Sequence, residues 1–310
     1  MKQSVRKYVY VSLAASLLGL GLKVAAWLLT DSVGLFSDAA ETVVNLSAAL
    51  MALWAVSVAF TPPDKRHPFG HGKAEYFSSG MEGVLVLVAS VGIAWAGVAR
   101  FLDPRPLSSL GLGLGAALTA AAINWGAAKV MLRAAREYDS ITLEADAKHL
   151  LTDVWTSGGI VAGLTIQHFL PPAFTILDPL MALAMAVNIA FTGAGLLKRS
   201  VGGLMDRSLP EEEVDALTEA VNRVAPDASA IHALRTRKSG NRRFAEFHLL
   251  LPGSTSVKEA HDVTLRMQEC VAEELPRMSL LIHVEPLEEQ DGERHGDPNR
   301  ARKGCREDGD

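Results

Sequence analysis

Long apolar runs separated by short polar connections dominate the first two thirds of the chain. Six have membrane-spanning length: Tyr8–Thr30, Val33–Phe60, Phe77–Leu102, Leu107–Leu132, Ile141–Leu170 and Phe174–Leu197. A span needs roughly 20 residues, so each predicts a transmembrane helix, and the longer ones predict tilt or protrusion from the bilayer. After Asp206 the pattern shortens. Pro210–Val224 reads as a helix with an acidic first turn, Glu211 to Glu213. Ser229–Arg237 and Arg243–Leu251 read as strands joined by the hairpin connection Lys238-Ser239-Gly240-Asn241. Ser256–Leu275 reads as a helix capped by Ser256 with Glu259 three residues on, and Leu280–Glu285 as a third strand. The order helix, strand, strand, helix, strand predicts a small α+β layer of helices on a sheet. From Glu288 the chain is polar and charged, which predicts a disordered tail.

The expected architecture is therefore a membrane all-α six-helix bundle over residues 1–206, a soluble αββαβ domain over 207–287 and a tail over 288–310. Composition agrees: 49% of the 310 residues are hydrophobic, and the mean hydropathy of +0.18 is high for a wholly soluble protein. Basic residues fix the expected orientation. Lys2, Arg6 and Lys7 precede span one, Lys65, Arg66 and Lys73 follow span two, Lys129, Arg133 and Arg136 end span four, and Lys198 and Arg199 end span six. The opposite side offers little beyond Arg100 and Arg105, so both termini are expected in the cytoplasm of a multi-pass cell (inner) membrane protein. The first run is longer than a signal-peptide core and lacks a small-x-small cleavage site, and reads as a retained span. A net charge of -5 points to no nucleic-acid partner, and two cysteines, Cys270 and Cys305, make no disulfide framework. Span four is rich in small residues (Gly111, Gly113, Gly115, Ala116, Ala117, Ala120, Ala121, Ala122), which favour close helix approach. Lys23, Glu82, Asn124, Asp178 and Asn188 read individually as helix-end or snorkelling residues.

Two polar stripes break the apolar pattern. Asp38, Glu41 and Asn45 lie at i, i+3 and i+7 in span two, and Asp146, His149 and Asp153 repeat that spacing in span five, so each trio shares a helix face. A charged group at membrane depth costs about 3 kcal/mol unless it pairs, binds an ion or lines water. Spans two and five run in opposite senses, and at ~1.5 Å per residue both Glu41/Asn45 and His149/Asp153 fall near the midplane. Carboxylate, amide, imidazole and carboxylate suit a divalent first-row metal in roughly tetrahedral geometry. Asp38 and Asp146 flank this set as stepping stones for the ion or for protons. Imidazole cannot hold a metal and a proton on one nitrogen, which makes His149 the natural exchanger. Interhelical hydrogen bonding would account for one such pair, but not for six positions at duplicated spacing.

Two further clusters carry metal chemistry. Asp64, His67 and His71 lie within a few residues between spans two and three. In the soluble domain His232, His248, His261, His283 and Glu285 fall on the expected strands and second helix, where they suggest a metal-sensing site at a sheet surface or dimer interface. An intramembrane metallohydrolase would also place His and carboxylates at this depth, but no His-Glu-x-x-His motif occurs, and no enzyme activity is expected. A membrane-anchored metal sensor without transport is the alternative.

Three stretches carry a resemblance to the cation diffusion facilitator family of divalent metal/proton antiporters: Ser37-Asp38-Ala39-Ala40-Glu41-Thr42-Val43-Val44-Asn45, His67-Pro68-Phe69-Gly70-His71-Gly72-Lys73-Ala74-Glu75 and Ala145-Asp146-Ala147-Lys148-His149-Leu150-Leu151-Thr152-Asp153-Val154. The resemblance covers Val5 to Pro286. It implies a six-span bundle with a metallochaperone-like cytoplasmic domain, a homodimer in the lipid bilayer, and efflux of Zn²⁺, Fe²⁺, Co²⁺, Cd²⁺ or Ni²⁺ against protons by alternating access. The transport site then maps onto Glu41, Asn45, His149 and Asp153, the loop site onto Asp64, His67 and His71, and the cytoplasmic sites onto His232, His248, His261, His283 and Glu285. A charge interlock maps onto Lys73 and Asp206. Zinc members usually show Asp or His followed by Asp where this chain has Glu41 and Asn45, one carboxylate fewer. Leu250 stands where some members carry another His, which implies a weak or absent second cytoplasmic metal.

Overall fold

The computed structural model describes residues 2–138, 141–225 and 229–289. The chain divides into two compact units, one of residues 1–56 and 77–200, the other of residues 57–76 together with the chain from 201 onward. The tail from 290, including Cys305, lies outside the described residues, as does the Asp146 side chain.

Long helices build the first unit: α1 Lys2–Thr30, α2 Val33–Ala59, α3 Ala74–Leu102, α4 Leu110–Tyr138, α5 Ile141–Phe169 and α6 Leu177–Leu204. Among the described residues five of them, all but α5, are long and apolar enough to cross a membrane. The first half of α5 carries Glu144, Asp146, Lys148, His149 and Asp153, which lowers its apolarity. Outward-facing Leu28, Trp54, Val88, Val91, Trp95, Trp155 and Phe191 are exposed, the inverse of a soluble protein and the expected coat against lipid.

Inside, Ala15 of α1, Ala127, Ala128 and Met131 of α4 and Leu143, Ala147 and Leu150 of α5 form one buried cluster. Val33, Val86, Ile93, Ala182, Ala186 and Ile189 join α2, α3 and α6 in another. The small-residue reading of α4 holds at Gly113, where a Cβ would lie 2.0 Å from Thr30 Cγ2, and at buried Ala117 and Ala120. It does not hold at Gly111 and Gly115, which meet nothing within 4 Å. Asp178 is a helix-end residue, as its position suggests, but for another helix. Buried in the first turn of α6, it accepts from Ser32 Oγ (2.5 Å), Val33 N (2.9 Å) and Gly34 N (2.9 Å), and so satisfies the open N-terminus of α2.

In the second unit α7 Glu211–Asn222, β1 Ala230–Ser239, β2 Arg242–Leu251, α8 Val257–Glu274 and β3 Met278–Pro286 follow the expected order. Ser256 and Glu259 form the full capping box at the start of α8. β1 runs two residues and β2 one residue further into the hairpin than expected, which leaves a two-residue turn in which Gly240 takes φ +59°. Strand order is β1-β2-β3, with β1 antiparallel and β3 parallel to the central β2, the α8 crossover making the parallel pairing possible. Leu217 and Val221 of α7, Val263, Met267 and Val271 of α8 and Phe247 and Leu249 of β2 close the core on one face of the sheet. The segment 57–76 packs on this domain through Gly72, where a Cβ would come within 2.4 Å of the Ser239 carbonyl oxygen.

Candidate metal sites

Asp38 and Glu41 of α2 lie close enough to Asp153 of α5 to feel its charge. Glu41 is half-buried, and its Oε2 is shut off from solvent without a hydrogen-bond partner. The charges of Asp153, Asp38 and Lys23 all act on it. Asp153 is 8% exposed and lies within the fields of Lys23, His149 and Asp38. Asn45 is half-buried one turn along α2, and His149 is exposed one turn before Asp153. Glu41, His149 and Asp153 do not bring their ligand atoms within 4.8 Å of one another as a group, unlike the two clusters below.

Asp38 is not a free stepping stone. Its Oδ1 accepts from Lys23 Nζ at 2.8 Å and its Oδ2 from Ser157 Oγ at 2.7 Å, while Nζ also donates to Thr42 Oγ1 at 3.0 Å. Lys23 and Asp38 are each 1% exposed. Lys23 is therefore no snorkelling residue: it ends in a carboxylate inside the bundle and ties α1 to α2, with Ser157 adding α5. Glu82 of α3 lies within the field of His149. Neither role is visible from single-helix spacing, because both depend on how one helix packs against another.

The loop cluster is local. Asp64 Oδ1 accepts from the backbone N–H groups of Arg66 and His67, both at 2.7 Å, which curls the loop so that His67 and His71 face each other. His67 Nδ1 lies 3.1 Å from His71 Nε2 and 3.3 Å from Asp64 Oδ1, and His71 Nε2 lies 3.6 Å from Asp64 Oδ2. The two backbone donors, the His67 one first, hold the Asp64 carboxyl below its ordinary range. Ligand atoms of all three residues fall within 4.8 Å of one another, which suits one tetrahedral cation.

Across the sheet, register does the assembling. His232 of β1, His248 of β2 and His283 of β3 are direct cross-strand partners and form a row of three imidazoles, with ring centroids 5.0 and 4.9 Å apart. Glu285, two residues beyond His283 on the same face, reaches His232 Nε2 at 3.1 Å, His248 Nδ1 at 3.0 Å and His283 Nε2 at 3.4 Å. Burial pushes the Glu285 carboxyl up, but the His232 hydrogen bond and the charges of His248, His232 and His283 together hold it below its ordinary range. His248 Nδ1 and Glu285 Oε1 are close, yet they do not meet hydrogen-bond geometry, and both atoms are shut off from solvent without a hydrogen-bond partner. A buried imidazole nitrogen and carboxylate oxygen that face each other without a hydrogen bond suit a shared cation. His261 stands apart on α8, exposed, on the wall of a ≈ 510 Å³ pocket that Glu285 also lines. Leu250 is buried beside Glu285 and offers no ligand.

The expected interlock pair is in contact: Lys73 Nζ lies 2.9 Å from Asp206 Oδ1, with Arg237 Nη1 at 3.5 Å from the same oxygen. Residues 9–205 match the model of the cation efflux transmembrane domain, and residues 209–287 match that of the cation efflux protein cytoplasmic domain. The chain belongs to the cation efflux family. It is similar to the uncharacterized transporter sll1263 of Synechocystis, 42% identical over 292 residues and 94% of both chains. It is also similar to the cation-efflux pump FieF of Yersinia pestis, 30% identical over 274 residues, 88% of this chain and 90% of the pump. A solved chain of CzrB, a candidate zinc transporter, is 38% identical over 25% of this chain and 96% of its own, with a TM-score of 0.24. The cation efflux protein is thus a membrane transporter with a small three-stranded cytoplasmic domain.

Proposed function

We propose that this cation efflux protein exports a divalent metal cation, Zn²⁺ first among the candidates, in exchange for protons by alternating access. All six long helices span the inner membrane with both termini in the cytoplasm. Glu41 and Asn45 of α2 and His149 and Asp153 of α5 hold the ion near the midplane. The observation that carries this reading is the buried, unpartnered Glu41 oxygen within the field of Asp153. Such a pair of anions at membrane depth is costly unless a cation or protons occupy it. Their present separation fits a site whose ligands close on the ion and part when it leaves. His149, exposed beside Asp153, exchanges metal for proton on one nitrogen.

Asp64, His67 and His71 hold a second ion in the loop, and His232, His248, His283 and Glu285 a third on the cytoplasmic domain. His261 contributes from α8 only if the helix shifts. A homodimer forms through the cytoplasmic domain, and metal bound there favours the transport-ready state. With one carboxylate fewer in α2 than the usual zinc pattern, Fe²⁺, Co²⁺, Cd²⁺ and Ni²⁺ compete as cargo, and a competition uptake assay ranks them. The deciding experiment is His149→Ala in proteoliposomes. Metal-driven proton flux should vanish while the dimer persists. Flux at the wild-type level would remove His149 from the site, and no flux in the unmodified protein would favour a sensor that transports nothing.

A further inference from the structure

The second unit holds a ≈ 660 Å³ pocket that no metal cluster uses, lined among others by Phe60, Phe69, Phe244, Arg242, Arg243 and Arg277. We propose that it binds the headgroup of an anionic phospholipid.

Chain continuity locates the pocket. Ala59 is the last residue of α2, a membrane-spanning helix, and both it and Phe60 line the pocket. The site therefore opens beside the end of that span. Its charge is one-sided, since no lining residue is acidic. Arg243 is already engaged, donating to Glu213 at 2.6 and 3.3 Å. Arg242 and Arg277 are exposed and, among the described residues, make no side-chain hydrogen bond or ion pair. Arg277 takes φ +67° in the turn between α8 and β3, a left-handed position where glycine is the easier choice. Two guanidinium forks without a protein partner match the oxygens of a phosphodiester.

The apolar part of the wall separates a lipid from a free anion. Phe60 is 67% and Phe69 62% exposed. Phe69 is also held firmly, edge-on to Phe244 at 5.9 Å and under the Arg237 guanidinium at 5.3 Å. A fixed, exposed aromatic ring beside a span end belongs at the glycerol level of a bilayer, with arginines at the phosphate level above it. Free phosphate would use the arginines and gain nothing from the rings.

The test uses the full chain in detergent with lipid titrated back, and native mass spectrometry to count retained lipid. Phosphatidylglycerol should bind in preference to phosphatidylcholine. Arg242→Gln with Arg277→Gln should weaken it by roughly thirty-fold, from about 1 kcal/mol per arginine. Arg242→Lys with Arg277→Lys keeps the charges and should retain most of the binding. Arg235→Gln with Arg266→Gln removes two exposed charges elsewhere on the domain and should leave binding unchanged. Equal loss in both glutamine pairs, equal binding of phosphatidylcholine, or full displacement by excess inorganic phosphate would overturn the proposal. So would a glutamine pair that alters only the oligomeric mass, since the pocket would then be covered by a second copy.

Discussion

The Lys23–Asp38 pair permits a quantitative test of how the bundle is held together. Asp38→Asn preserves side-chain shape but removes the negative charge, leaving a 1%-exposed ammonium with Thr42 Oγ1 as its other side-chain partner. Breaking a buried pair by deleting one member costs about 3–5 kcal/mol, and a neutral second partner argues for the upper part of that range. Ser157→Ala removes one hydrogen bond to the same carboxylate and should cost about 1.5–3 kcal/mol. Replacing both charges, Lys23→Met with Asp38→Leu, abolishes the desolvation cost as well as the attraction and should recover most of the loss. At about 2–4 °C per kcal/mol, Asp38→Asn should lower the melting temperature of the solubilised protein by roughly 10 °C. The five tryptophans supply an intrinsic fluorescence signal for the measurement. A melting temperature unchanged in Asp38→Asn, or a double variant no more stable than that single one, would refute the reasoning.

Gly72→Val should loosen segment 57–76 from the cytoplasmic domain, because the first added carbon already meets the Ser239 carbonyl at 2.4 Å; faster proteolysis between Thr61 and Tyr76 would report it. The hydrogen bond and charge of Lys73, aided by Arg237, hold Asp206 below its ordinary 3.8. Its stabilising share is therefore complete above that value and is lost as pH falls through the lower folded value. With the side chains 36% and 43% exposed, Asp206→Asn should cost less than about 1 kcal/mol and flatten the acid limb of a melting-temperature profile. On the cytoplasmic domain His248→Ala should abolish a Zn²⁺-induced rise in melting temperature that His261→Ala leaves largely intact, measured with Asp64, His67 and His71 replaced. His248 touches every other member of the cluster and His261 touches none of the three histidines in the row.

Local pattern carried much of this protein. The apolar runs announce the long helices because a bilayer demands continuous apolarity. The Ser256 and Glu259 cap, the αββαβ order and the Asp64, His67, His71 cluster are legible because their parts lie within a few residues of one another. What lay beyond the sequence is the relation between elements. Spacing puts Glu41 and Asp153 on helical faces, but only the packed bundle brings their charges within reach and tucks Lys23 beneath Asp38. Five polar residues on the cytoplasmic domain read as a loose set. The parallel pairing of β3 with β2 sorts them into a row of three histidines closed by Glu285 and leaves His261 outside. Periodicity determines which side chains share a face, because one helix or strand sets it. Which faces meet, and in what register, is decided by packing summed over the whole unit.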